Sequence, residues 1–247
     1  MASWFKIIMV KVAAAQIEVL ENVNKNLEKI LTYIDKAKSK NVDIVCFPET
    51  CLNPIEEGKI DVSTHVKEIQ NKCKEKEIYC IFGSYVPEGN KARNVTFLVD
   101  RSGKIIFEYD KVHLWISEKG KIIPGSTNKV INTDLGKVGI INCWDYAFPT
   151  FIQQLSRNGA KIIFAPSYLV GYKMNKEVLR KVPLVRAFEN IAFYISCDAF
   201  TNETLSESYI CHPLRILKKI EKKEGLIFAN LDMDRIDSLR KHFDHLK

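Results

Sequence analysis

Three segments of the sequence each end a strand-like apolar run with a residue that can take part in covalent catalysis. The segments and these residues are 42–47 before Glu49, 104–109 before Lys111 and 137–142 before Cys143. A carboxylate base, a fixed cation and a thiol nucleophile form a complete set for acyl transfer through a thioester. Strand ends can deliver such side chains to one edge of a sheet, so we expect these three residues to meet in a cleft.

Each of these residues alone also has an ordinary structural explanation. Cys143 could be a buried structural cysteine, Glu49 a capping carboxylate and Lys111 a surface lysine. As a catalytic set, Glu49 is a general base and Lys111 stabilises a tetrahedral oxyanion. Cys143 precedes a turn toward a helix that Pro149 can open, and a helix N-terminus favours a thiolate. The sequence therefore predicts a thiol that ionises readily.

The apolar pattern predicts strands and helices that alternate along the first part of the chain, with more strands in the middle. Strands are predicted at 7–17, 42–47, 78–86, 95–99, 104–109, 130–133, 137–142, 161–165, 191–198, 208–214 and 226–231. Helices are predicted at 23–37 with Asn22 as cap, 62–76, 149–157, within 175–190 and at the C-terminus. Pro183 should kink the fourth helix or mark its late start. This order indicates an α/β fold with two packed mixed sheets and helices outside.

Composition and charge favour one compact domain that spans residues 1–247. The apolar fraction is 46%, and no linker rich in Pro, Gly or Ser divides the chain. The net charge of +7 is spread among interspersed acidic residues, which is typical of a solvated surface rather than of a nucleic-acid site. Lys6 and Lys11 interrupt the apolar N-terminus, so we predict neither export nor a membrane segment. A metal pair at His242 and His245 is less plausible than a solvated helix.

The seven cysteines predict a cytoplasmic protein. Their number is odd, and no two are separated by only two residues. A disulfide framework is not expected at this length, and most of the cysteines lie in or beside apolar runs, where they act as small buried hydrophobes. A reducing compartment fits this usage.

Six short motifs follow one another in an order that identifies a family. They are Phe47-Pro48-Glu49, Tyr109-Asp110-Lys111-Val112-His113-Leu114, Pro124-Gly125-Ser126, Gly136-Lys137-Val138-Gly139, Cys143-Trp144-Asp145 and Arg186-Ala187-Phe188-Glu189-Asn190. Asn94 and the segment 232–240 fit the same pattern. The ordered set resembles the nitrilase, or carbon–nitrogen hydrolase, superfamily from about Val12 to about Arg240.

This resemblance implies a four-layer αββα sandwich that assembles as a homodimer or a larger homo-oligomer. It also implies a catalytic triad of Glu49, Lys111 and Cys143 that needs no metal or cofactor. Glu118 matches a second glutamate that positions the triad or the substrate. The backbone N–H of Trp144 would complete the oxyanion site.

The resemblance leaves the substrate open. The expected reaction is hydrolysis of a small aliphatic or carboxylate-bearing amide, with N-carbamoyl amine hydrolysis and nitrile hydrolysis as alternatives. Ala147 and Thr150 replace an Arg and a Glu that are usual in the family, which leaves room for a catalytically silent binding protein on the same fold.

No spacing rule places the residues that line the pocket. Acid-recognising cations could be Arg93, Lys173 or Lys176. The loop 201–208 lacks the family's glycines, so we expect it to be stiff and to form an acidic pocket mouth with Glu203 and Glu207.

Overall fold

The computed structural model describes residues 9–56, 60–170 and 176–243. Two mixed β-sheets face each other, and helices cover the outer face of each sheet. The predicted α/β architecture, a four-layer αββα sandwich with two mixed sheets, is therefore confirmed.

The first sheet carries the segment that leads to Glu49. Its strands are β1 (Met9–Gln16), β2 (Ile44–Cys46), β3 (Tyr79–Glu88), β4 (Lys91–Val99), β5 (Ile105–Asp110), β6 (Ile122–Ile123) and β13 (Gly225–Asp232). The order is β13-β1-β2-β3-β4-β5, and β6 pairs with β4. Strands β1, β2 and β3 are parallel, whereas β3, β4 and β5 form an antiparallel series. Two reversals make β5 run in the direction of β2, so both strands end at the same edge.

The second sheet carries the segment that leads to Cys143. Its strands are β7 (Val130–Thr133), β8 (Gly136–Ile140), β9 (Ile162–Ser167), β10 (Phe193–Asp198), β11 (Glu207–His212) and β12 (Arg215–Glu221). The order is β12-β11-β10-β9-β8-β7, with a parallel centre of β8, β9 and β10. Parallel strands buried on both faces require the continuous apolar runs that the sequence shows.

Five α-helices and one short 3₁₀ helix are present in the described residues. They are α1 (Val23–Ser39), α2 (Ser63–Lys76), the 3₁₀ helix (Cys143–Ala147), α3 (Pro149–Arg157), α4 (Lys176–Asn190) and α5 (Met233–His242). Helices α1 and α2 pack on the first sheet, and α3 and α4 pack on the second. The Asn22 side chain accepts the N–H of Lys25 at 3.0 Å, so the predicted cap of α1 is confirmed.

The main core lies between the two sheets. Its side chains include Val12, Ile44, Ile81, Ile140, Phe164 and Ile195. Full burial of each such side chain stabilises the folded state by about 1.5–3 kcal/mol relative to leaving it exposed. This packing holds the two sheets in a fixed position, and with them Glu49 beside the first sheet and Cys143 beside the second.

Two expectations about secondary structure were wrong. Of the two effects predicted for Pro183, the late start of α4 does not occur, because the helix begins at Lys176 and continues through Pro183. The sequence pattern also missed β12, since most of its residues are polar and exposed at the edge of the sheet.

All seven cysteines are free and buried, as their apolar surroundings predict. Among the described residues, no helix has both the length and the apolar character that a bilayer crossing demands.

Candidate active site

The structure brings Glu49, Lys111 and Cys143 together beside one cavity. Glu49 follows β2, Lys111 follows β5, and Cys143 follows β8 of the facing sheet. All three side chains line the cavity and are almost fully buried. The predicted meeting of three strand ends is therefore confirmed.

Glu49 is held at both carboxylate oxygens. Its Oε1 accepts from Lys111 Nζ at 2.7 Å and from Asn94 Nδ2 at 2.9 Å. Its Oε2 accepts the backbone N–H of Tyr168 at 2.9 Å. Burial raises the pKa of Glu49 above its ordinary value, although the charge of Lys111 opposes this effect. A buried carboxylate with a raised pKa and a fixed orientation suits a general base.

Lys111 lies between two carboxylates. Its Nζ is 2.7 Å from Glu49 and 2.8 Å from Glu118, and its side chain is 2% exposed. Burial alone would lower the pKa of Lys111, but the negative charges of Glu49 and Glu118 hold it above its ordinary value. Lys111 is therefore a permanent cation.

Glu118, the predicted second glutamate, fixes this cation and is itself immobilised. It accepts hydrogen bonds from Tyr85 Oη at 3.1 Å, from Asn94 Nδ2 at 2.6 Å and from the backbone N–H of Trp115 at 2.7 Å. Asn94 thus donates to Glu49 and Glu118 together. Glu118 is placed to orient Lys111 rather than to move protons itself.

Cys143 begins the 3₁₀ helix in a strained backbone conformation. Its φ of +47° lies in the left-handed region, which side chains with a Cβ rarely adopt. Such strain is typical of functional positions. The thiol is directed at the backbone carbonyl of Tyr168, with 3.9 Å between Sγ and the oxygen.

The expectation of an easily ionised thiol is wrong. Burial and the nearby negative charge of Glu49 raise the pKa of Cys143 well above its ordinary value, and Lys111 opposes this only in part. A one-turn helix does not overcome that desolvation. The thiol therefore needs a base in contact with it to become a nucleophile.

Asp145 ties the turn that carries Cys143 to the segment that follows Lys111. Its carboxylate accepts from Tyr109 Oη at 2.6 Å, from the backbone N–H of Asn142 at 2.9 Å and from the backbone N–H of His113 at 2.9 Å. These bonds support the turn although Ala147 stands nearby in place of the family's arginine.

Trp144 follows the nucleophile directly and lines the cavity. It lies in the first turn of the 3₁₀ helix, where a backbone N–H has no acceptor within the helix. Its indole meets that of Trp115 edge to face, with 4.7 Å between ring centroids. Trp144 and Lys111 thus line the same cavity.

The cavity has a volume of about 290 Å³. Beside the triad its wall includes Tyr85, Trp115, Tyr146, Tyr168 and Leu179. This size, and a wall that combines aromatic rings with charged groups, suit a small molecule with one reactive polar group.

Two of the three candidate acid-recognising cations, Arg93 and Lys176, are absent from the described cavity wall. Arg93 forms ion pairs with Glu88, Glu108 and Asp110. Neither Arg93 nor Lys176 is part of the cavity wall, and Lys173 lies outside the described residues. Among the described wall residues, Lys111 is the only cation.

The predicted acidic mouth is only partly correct. Glu203 is exposed and contributes to the cavity wall. Glu207 instead lies buried in β11, where it pairs with Arg180 at 2.7 Å. Glu56 also lines the cavity, but its Oε2 is 3.0 Å from Lys121 Nζ. Glu203 is therefore the main exposed charge of the described mouth.

The described residues contain no cluster of three or more His, Cys, Asp or Glu side chains that could hold a metal. His242 lies on α5, and His245 lies outside the described residues.

Three residues around the site were not identified from the sequence. Tyr168 contributes a backbone N–H and a carbonyl, which residue type does not encode. Tyr85 is one tyrosine among many. Gly83 in β3 did carry a signal, because a glycine inside a strand often marks a close backbone approach. A Cβ at this position would overlap the backbone nitrogen of Thr50 and lie 3.0 Å from the Cα of Glu49.

Comparisons with known proteins identify the family of this chain. Residues 11–241 match the family model described as carbon-nitrogen hydrolase. A probable nitrilase of Schizosaccharomyces pombe is 27% identical, with 90% of this chain and 88% of that protein aligned. A deaminated glutathione amidase of Synechocystis is 25% identical, with 95% and 96% aligned.

The fold also matches a solved structure, the crystal structure of Saccharomyces cerevisiae Nit3, which is described as a member of the nitrilase superfamily. The TM-score is 0.87 at 24% identity, and the match covers 99% of this chain and 98% of that one. Together, the family match over nearly the whole chain and the shared fold establish that this protein is an enzyme of the carbon–nitrogen hydrolase family, within the nitrilase superfamily.

Proposed function

We propose that the protein hydrolyses a non-peptide carbon–nitrogen bond in a small amide through a thioester on Cys143, with release of ammonia or an amine. The observation that carries this proposal is the buried contact of Glu49 with Lys111 beside the Cys143 thiol. No other cysteine of the described residues lies beside such a pair.

In the first half-reaction, Glu49 accepts the proton of the Cys143 thiol while the sulfur attacks the amide carbon. The raised pKa of the thiol makes this base necessary. The carbonyl oxygen becomes an oxyanion, which Lys111 Nζ and the Trp144 N–H stabilise. Glu49 then gives its proton to the departing nitrogen, the C–N bond breaks and a thioester remains.

In the second half-reaction, Glu49 removes a proton from water, and the resulting hydroxide attacks the thioester. The oxyanion forms again in the same place. When it collapses, the C–S bond breaks, the carboxylic acid leaves and the thiol regains a proton from Glu49. One water is consumed for each amide that is cleaved.

The substrate we propose is a small neutral or monoanionic amide. The cavity volume of about 290 Å³ limits its size, and Glu203 at the mouth disfavours a second negative charge. The name of the Synechocystis relative, a deaminated glutathione amidase, supports the amide bond as the target.

We also propose a cytoplasmic homodimer or a larger homo-oligomer. The seven free cysteines suit a reducing compartment. Val178, Val185 and Phe188 lie on one face of α4 and are 55%, 47% and 50% exposed. Contact with a second copy would cover this face. A monomeric mass by light scattering at micromolar concentration would contradict the assembly.

The function is tested by ammonia release across a panel of small amides, N-carbamoyl amines and nitriles. We expect turnover of at least one neutral or monoanionic amide. Turnover of nitriles or carbamoyl amines alone would reject the amide assignment, and no turnover of any class would favour a silent binding protein.

A further inference from the structure

Asp198 is a buried carboxylate outside the cavity wall. It ends β10 and is fully buried. Its Oδ1 accepts the backbone N–H of Leu169 at 2.9 Å, and its Oδ2 accepts that of Ser206 at 2.8 Å. Within 9–56, 60–170 and 176–243, no Lys, Arg or His forms an ion pair with it. The contacts of Asp198 therefore hold the backbone of Leu169 and Ser206 in place and do not pair it with a cation.

The first contact reaches Glu49 and Cys143 through the backbone of Tyr168. The N–H of Leu169, held by Asp198, and the C=O of Tyr168 belong to the same planar peptide and point in opposite directions. That carbonyl faces the Cys143 thiol at 3.9 Å. The N–H of Tyr168 donates to Glu49 Oε2 at 2.9 Å. The N–H that contacts Glu49 and the carbonyl that faces Cys143 both belong to Tyr168, so a displacement of Tyr168 would disturb both contacts.

The second contact is anchored to the opposite sheet. The carbonyl of Ser206 accepts from Gln16 Nε2 at 3.0 Å, and the hydroxyl of Ser208 donates to Gln16 Oε1 at 2.8 Å. The backbone N–H of Asp198 donates to that same hydroxyl at 2.9 Å. Gln16 ends β1, the neighbour of β2, after which Glu49 lies. Asp198 is therefore fixed relative to the strand that presents the base.

We propose that Asp198 is a positioning residue, which holds the Tyr168–Leu169 peptide so that its neighbouring N–H orients Glu49 and its carbonyl faces the Cys143 thiol. This inference rests on the proposed function, in which Glu49 is the general base. Each of its two oxygens faces an N–H donor, an arrangement that suits a carboxylate. Burial raises the pKa of Asp198 well above its ordinary value, and these backbone donors oppose that effect. An asparagine would turn its own NH₂ toward one of these donors.

The test is Asp198→Asn, compared with wild type in the full-length protein. We expect kcat to fall at least about tenfold with little change in KM, since misplacement affects the transition state more than binding. The acid limb of kcat/KM should move to higher pH, because ionised Glu49 loses the Tyr168 donor while Lys111, Glu118 and Cys143 still face it. The labelling of Cys143 by iodoacetamide near neutral pH should slow, because the same base assists it.

Asp43→Asn is the control for loss of a backbone-holding carboxylate; unlike Asp198, Asp43 also forms an ion pair with Arg101 at 2.9 Å. Asp43 Oδ2 accepts the backbone N–H of Lys11 at 2.8 Å near the start of β2, at the end of the strand remote from Glu49. This variant should lower the melting temperature and leave the pH profile and the labelling rate unchanged. If the role of Asp198 were only structural, Asp198→Asn would likewise lower the melting temperature and leave the pH profile and the labelling rate unchanged.

Asp198→Glu covers the case in which Asp198→Asn does not fold. It keeps both acceptors but displaces them, so we expect a smaller shift of the acid limb in the same direction. A folded variant of either kind with a wild-type acid limb and a wild-type labelling rate would overturn the positioning role. Wild-type protein that hydrolyses no amide, or a Cys143→Ala variant that stays active, would instead reject the proposed function.

Discussion

Lys111 Nζ lies 2.7 Å from Glu49 Oε1, and both side chains are almost completely buried. This contact joins the ends of β5 and β2 and sets the protonation state of both groups. Burial keeps the pKa of Glu49 above its ordinary value of 4.5, while the two glutamates hold the pKa of Lys111 above 10.5. The pair is therefore a base that protonates above the usual carboxylate range beside a cation that stays charged.

The pH dependence of activity follows from the upward pKa shifts of Glu49 and Lys111. Glu49 must be ionised to accept the thiol proton, so kcat/KM should rise as the pH passes through a value above 4.5. Lys111 should cause no loss below pH 10.5. A pH profile on a neutral amide between about pH 4 and pH 10 measures this. An acid limb below 4.5 would contradict the assignment of Glu49 as base.

Removal of the cation should be more harmful than removal of an ordinary ion pair. Lys111→Ala leaves Glu49 and Glu118 buried and facing each other, so we expect kcat to fall at least about a hundredfold. Lys72→Ala is the control, because Lys72 lies within 4 Å of Asp35 and Glu75 at the surface and should be close to neutral for activity.

The double variant Glu49→Gln with Lys111→Ala tests whether these residues act as one unit. We expect little further loss beyond the more damaging single substitution. Strictly additive losses in steady-state kinetics would indicate that the two residues have separate structural roles.

Gly83 should be needed for activity as well as for folding. Gly83→Ala would force the backbone at Thr50 and Glu49 away from β3, and a displacement of about 1 Å can cost a hundredfold in rate. Gly139→Ala is the matched control. Its Cβ would meet the side chain of Leu155 at 2.9 Å, which can adjust.

Both glycine variants should lose thermal stability, but only Gly83→Ala should lose most of its kcat per folded molecule. Melting curves and kinetics on the same preparations separate the two effects. Wild-type activity in Gly83→Ala would mean that the close approach to Glu49 has no functional role.

The charge at the cavity mouth should influence substrate choice. Glu203→Lys should raise kcat/KM for a dianionic amide relative to a neutral amide of similar size, because it replaces repulsion with attraction. Glu68→Lys makes the same charge change on the exposed face of α2 and should leave this ratio unaltered. At high salt, which screens surface charges, wild type and Glu203→Lys should show nearly the same ratio. A clear wild-type preference for dianionic amides would reject the role of Glu203.

Much of the site could be predicted because its key side chains follow strongly apolar strands. An apolar run that predicts a strand ends within two residues of each of Glu49, Lys111 and Cys143. Asn22 and Pro149 likewise mark helix starts that the structure confirms. These signals are local, so they can be interpreted without knowledge of the tertiary fold.

The remaining features depend on contacts between distant segments. The Tyr168 N–H reaches Glu49 across the two sheets, and it acts through backbone that any residue would supply. The pKa of the Cys143 thiol was predicted in the wrong direction because burial cannot be derived from one strand end. Glu207 was assigned to the mouth because the sequence does not reveal its pairing with Arg180.

The central claim, a thioester on Cys143, is tested most directly by ammonia release from wild type, Cys143→Ala and Cys211→Ala. Cys211 is the matched control, since its thiol is also buried and burial alone raises its pKa to about 12. With circular dichroism showing that all three are folded, we expect no turnover in Cys143→Ala and near wild-type turnover in Cys211→Ala. Near wild-type ammonia release by folded Cys143→Ala would contradict the thioester mechanism.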